Sequence, residues 1–149
     1  MQRSTLRAVA AVLAVTALAS ACASGDSDRA RDLAREACAN YEMFVPAGAD
    51  TPEERETAHR RVVPGLEDSA RQAAQAARLD SQWRELAQGL ARLAEQTSAS
   101  LELADLRAGA ASTSGGTADA DELQARVLSL GAEVDAHDPR EQCRKAQAS

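Results

Sequence analysis

Two histidines and three cysteines are the residues of this 149-residue chain best suited to acid–base, metal or thiol chemistry. His59 closes the run Glu56-Thr57-Ala58-His59, whose spacing puts both side chains on one helical face, as in carboxylate-bridged di-iron bundles. Those centres need two such pairs and two further glutamates on facing helices, and the chain holds no second copy. Asp135, His137 and Asp138 form a local group of oxygen and nitrogen donors, which reads most simply as a polar helix end capped by Asp138. Cys38 and Cys143 could join a histidine at zinc, yet no close Cys-x-x-Cys pair supports that reading. Gly-x-Ser-x-Gly, P-loop, dinucleotide-glycine and Cys-x-x-Cys-His patterns are all missing, and Ser112 to Gly116 follows no apolar strand. The expectation is a non-enzymatic protein with no catalytic residue, no metal site and no cofactor.

The third cysteine has a different setting. Arg3 and Arg7 begin the chain, Leu6 to Ala21 is nearly all apolar, and Ala19-Ser20-Ala21 places small residues directly before Cys22. This is the order of a secretory signal peptide, and the run from Ala8 to Leu18 falls short of the roughly 20 residues that span a bilayer. Leu18-Ala19-Ser20-Ala21-Cys22 resembles the lipobox of bacterial lipoproteins, with the leucine one step earlier than that family usually has it. The resemblance implies cleavage before Cys22 and attachment of diacylglycerol to its sulfur. Ala19-Ser20-Ala21 equally fits an ordinary A-x-A site, so secretion without lipid stays open. Parity favours the lipid: with Cys22 modified, Cys38 and Cys143 can pair and no odd thiol is left in an oxidising compartment.

Loss of residues 1–21 removes Arg3 and Arg7 and takes the net charge from −6 to about −8. An acidic surface argues against nucleic acid and against a basic membrane-binding patch. The basic residues are nearly all arginine, with Lys145 the single lysine, and alanine is abundant. The chain is similar in this general style to compact helical lipoproteins of actinobacteria. That likeness covers the leader and Cys22 closely and the remainder only in character; it implies anchoring and nothing catalytic.

Helix is the one period present. Ala34, Cys38, Tyr41 and Val45 share a face of a predicted helix over 28–45, which Pro46 and Gly48 end. Thr51-Pro52-Glu53-Glu54 is a capping box with proline at the first helical position, and Val62 or Val63, Leu66, Ala70, Ala73 and Ala77 follow as a stripe. Pro64-Gly65 inside it predicts a kink or brief break, and Glu56–Arg60 and Glu67–Arg71 are spaced to pair on the solvated face. Asp80-Ser81 caps the strongest helix, whose Trp83, Leu86 or Ala87, Leu90, Leu93 or Ala94, Thr97, Leu101 and Ala104 make a seam fit for the middle of the core. Residues 108–118 read as a mobile, exposed loop. Asp119 to Glu122 then offers a cap for a stripe of Leu123, Val127, Leu130 and Val134, and Asp138-Pro139-Arg140-Glu141 starts a short terminal helix.

The sequence therefore predicts an all-α fold, a four-helix up-down bundle with a short extra C-terminal helix, stapled by one disulfide between Cys38 and Cys143. Its organisation is a signal peptide over 1–21, a lipidated Cys22 with a tether to residue 28, and a helical domain over 29–149. The functional expectation is a lipoprotein on the outer face of a bacterial cell membrane, an interaction or structural module with an envelope protein as partner. The alternatives are a carrier or sensor of a small ligand or metal, with a pocket near Trp83 or His137, and a secreted helical protein without lipid.

Overall fold

The computed structural model describes residues 25–43, 50–110 and 117–148. All of them but a few at turns are helical: α1 over 25–43, α2 over Pro52–Leu79, a 3-10 turn Ser81–Trp83, α3 over Arg84–Ala110, α4 over Thr117–Ala136 and α5 over Pro139–Ala148. The long pair α2 and α3 runs antiparallel, with Arg55 near the start of one facing Asp105 near the end of the other. α4 returns antiparallel along α3, bonded at one end by Arg107 to Gln124 and at the other by Arg92 to Glu133. The short α5 lies antiparallel to α1, where Arg140, Cys143 and Ala146 meet Tyr41, Cys38 and Arg35 in steps of three. This is the all-α up-down bundle with a short C-terminal helix.

Local chemistry explains the boundaries. Thr51 Oγ1 accepts from Glu54 N at 3.1 Å while the Glu54 carboxylate accepts from Thr51 N at 2.9 Å, so two orphan donors at the start of α2 are satisfied reciprocally. Asp80 accepts from Gln82 N and Asp138 from Arg140 N, capping the next turn and α5 in the same way.

The structure corrects several boundaries. α1 already includes residues 25–28, so part of the expected tether is helical, and Val45, Pro46 and Gly48 lie outside the described residues. α2 is unbroken through Pro64: the proline is exposed, which leaves the unpaired carbonyl one turn earlier to water, while Gly65 and Leu66 are buried. Arg71 pairs with Asp68 rather than Glu67. A 3-10 turn precedes α3. α4 starts two residues before Asp119, which is part of its first turn rather than its cap. Of the expected 108–118 loop, 108–110 and 117–118 are helical and 111–116 lie outside the described residues.

Buried side chains form two clusters along α3 instead of one core. The larger joins Ala30, Ala34, Ala37, Cys38 and Tyr41 of α1 to Leu66, Ala73 and Ala76 of α2 and to Trp83, Leu86 and Leu90. Cys143 and Ala146 of α5 complete it. The smaller packs Ala99 and Leu103 of α3 against Leu123 and Leu130 of α4. The larger cluster is rich in alanine, so its helices approach closely and a single added atom is felt. At Gly89 a Cβ would run into the His137 carbonyl oxygen, where the chain crosses α3 on its way into α5. At Gly131 it would meet only the end of the flexible Gln96 side chain, at 2.8 Å.

Gly89→Ala should therefore lower stability by about 1–3 kcal/mol in urea denaturation, because backbone must move. Gly131→Ala should be neutral or raise it by up to about 1 kcal/mol, since alanine is the better helix former. Equal losses at both positions would contradict this packing. Hydrogen bonds from Thr51, backbone first, hold the Glu54 carboxyl below its ordinary value of 4.5. A lowered folded-state pKa adds stability above the unfolded value and loses it as pH falls. The stability difference between the wild type and Glu54→Gln should thus be present at pH 7 and close below about pH 4.5; a pH-independent difference would count against the capping box.

Candidate functional site

The two cysteines of the bundle are bonded to each other. Cys38 and Cys143 form a disulfide with Cα atoms 5.4 Å apart, bridging 105 residues of sequence. Both are buried, Cys38 fully. Around the bridge, Arg35 Nε donates to the Ala146 carbonyl at 3.0 Å and Gln142 Nε2 donates to Glu85 at 2.7 Å. Arg140 rests against the Tyr41 hydroxyl, which pushes its guanidinium further toward the charged form. Cys22, the expected lipid-bearing residue, lies outside the described residues.

The histidines are far from each other. His59 Nε2 is 3.5 Å from Asp105 Oδ2, beside Arg55, whose Nε stands 3.3 Å from the other carboxylate oxygen. Glu56 pairs instead with Arg60, so the Glu-x-x-His spacing gathers no shared ligand. His137 sits where its carbonyl meets Gly89, about 16 residues or roughly 24 Å along α3 from Asp105. Asp138 is occupied with capping. Among the described residues no group of three His, Cys, Asp or Glu side chains is arranged to hold a metal ion.

A groove of about 400 Å³ runs over α3 between α2 and α4. Ala70, Ala91, Ala94 and Ala99 floor it, and Glu67, Arg71, Glu102 and Arg126 are on its exposed rim. It is bordered by neither Trp83 nor His137, the two places where a pocket was expected. Trp83 is 3% exposed within the larger cluster, and its indole Nε1 is buried with no hydrogen-bond partner. Arg92 clamps the α3–α4 seam beyond the groove, its Nη1 2.8 Å from Glu95 and its Nε 2.7 Å from Glu133.

No family model, no curated protein and no solved structure matches this chain.

The groove residues were not singled out from sequence because each looks like an ordinary solvated or small helix position. With the histidines this far apart, titration of the intact protein with Zn²⁺ should show no stoichiometric uptake, and His59→Ala or His137→Ala should leave the titration unchanged. Stoichiometric binding lost in either variant would contradict that placement.

Proposed function

We propose that this protein is a lipid-anchored module of a bacterial cell envelope, held to the outer face of the membrane through Cys22 and acting by contact rather than by catalysis. The observation that carries the reading is the disulfide. It uses Cys38 and Cys143, so the one cysteine left over is the one in the lipobox-like setting Leu18–Cys22. An exported protein with a spare thiol is liable to intermolecular bonds, and a thioether to diacylglycerol removes that liability. A diacyl anchor holds a protein stably where one chain gives marginal binding.

The bundle fits an interaction role. Among the described residues no helix is long and apolar enough to cross a membrane. Several of the chemistry-capable side chains are engaged in structure: His59 with Asp105, Asp138 in a cap, and two cysteines in the staple. A second reading, carriage of a small ligand, has the groove in its favour, since about 400 Å³ is within the range of small-molecule pockets. Its charged rim is exposed and its floor shallow alanine, which suits a contacting helix better than an enclosed metabolite.

Expression in an actinobacterial host with fractionation separates the readings. The wild-type chain should sediment with membranes and be released by detergent but not by high salt, and Cys22→Ala should move it to the soluble fraction. A wild-type chain found soluble outside the cell would overturn the anchor. A metabolite co-purifying at one equivalent would favour the carrier.

A further inference from the structure

The last helix lies across the bundle as a strap. After α4 the chain crosses α3 at Gly89, where Pro139 packs against the glycine, and continues as α5 beside α3 and α1. Three hydrogen bonds tie it down: Gln142 Nε2 to Glu85 at 2.7 Å, Arg35 Nε to the Ala146 carbonyl at 3.0 Å, and Gln147 Nε2 to Glu42 at 3.0 Å. Arg140 adds its contact with the Tyr41 hydroxyl. The disulfide is enclosed with the strap in place, Cys38 being 0% and Cys143 3% exposed.

Burial decides how that bond can be broken. A thiolate has to reach one of the two sulfurs, and both cysteines are closed to solvent. α5 is the piece that can give way. It has ten residues, too few to persist as a helix alone, and its buried Pro139, Gln142, Cys143 and Ala146 include no large aliphatic or aromatic group. α1 buries Ala30, Ala34, Ala37, Cys38 and Tyr41, and Asn40 ties it separately to Gln72 of α2 at 3.0 Å. Without the disulfide, α5 is covalently held at one end only, and so little burial does not offset the entropy of ordering it.

We propose that α5 gates thiol–disulfide exchange at Cys38–Cys143, and that reduction releases it and opens the larger cluster around Trp83 while α2, α3 and α4 stay folded. As the strap lifts, a thiolate of a dithiol attacks one cysteine sulfur, and the other leaves as a thiolate and takes up a proton. The second thiol of the reagent then displaces the first, so the reagent ends as a cyclic disulfide and both cysteines as thiols. Trp83 belongs to the cluster that Cys143 and Ala146 complete, and its indole N–H finds no acceptor among the described residues. Water entering there satisfies that donor. An apolar surface is thus covered in an oxidising compartment and uncovered by a dithiol. The inference rests on the bond alone and is independent of the lipid at Cys22.

Dithiothreitol added to the oxidised full chain tests it, with oxidised glutathione as the exposed reference and the emission of Trp83, the single tryptophan, as the signal. The protein should be reduced at least about a hundredfold more slowly than the reference at the same pH and reagent concentration. Its rate should rise with urea far less steeply than global unfolding does, because lifting α5 exposes little surface. Glu85→Ala changes one exposed side chain and removes one tie, so it should speed reduction severalfold. After reduction, Trp83 emission should move to longer wavelength, with no more far-UV helix signal lost than α5 accounts for. Reduction as fast as the reference, a urea slope equal to that of global unfolding, or an unchanged rate in Glu85→Ala overturns the gate. Loss of the whole helix signal on reduction, or an unmoved Trp83 emission, overturns the release.

Discussion

The covalent link between Cys38 and Cys143 is the constraint on which the rest of this structure depends. It closes 105 residues of sequence, and closing a loop of that size is worth about 4–5 kcal/mol in the chain-entropy treatment. That is comparable to the whole net stability of a small domain. α5 is where the effect is felt most. Ten residues are too few for a helix to persist alone, and this one is strongly polar, burying only Pro139, Gln142, Cys143 and Ala146. Bonded to α1, it covers the larger cluster and holds the two terminal helices together.

α3 is the second determinant, and its role is geometric. It is the one helix present in both buried clusters: α1 and α5 pack on its first half, α2 runs along it as far as Asp105, and α4 lies along it from Arg107 back to Arg92. Trp83, just before α3, and Leu86 and Leu90 in its first half are packed into the larger cluster, where the disulfide also lies. The second half depends on Ala99, Leu103, Leu123 and Leu130 and on surface contacts such as Arg107–Gln124. Less apolar area is buried there, so α4 should be the first helix to open. The groove lies on this more lightly packed side, over the face of α3 that α2 and α4 leave uncovered.

The helices were legible because their signals are local. Thr51 with Glu54, Asp80 before Trp83, and Asp138 before Pro139 are caps whose partners lie within three residues, and each forms as its spacing implies. The disulfide was legible from parity and from the topology of a returning tail. What sequence reasoning could not see depends on neighbours distant in the chain. The division of the core into two clusters follows from where α1 and α4 stop along α3, and no periodicity encodes that. The requirement for glycine at 89 arises from a carbonyl 48 positions later, and His59 finds Asp105 instead of the nearby Glu56. Pro64 does not break α2, because on the exposed face of the helix the carbonyl it leaves unpaired can turn to water. The groove was hidden because alanine and glutamate on a helix read alike whether or not a neighbour covers them.

The central claim is that three cysteines have two fates, one bonded pair and one lipid anchor. Intact-mass measurement of the protein taken from its own envelope, before and after reduction, tests it most directly. The account predicts a chain beginning at Cys22 that carries a diacylglycerol-sized adduct and gains two hydrogens on reduction. An unmodified chain, or a bond from Cys22 to either Cys38 or Cys143, would contradict it.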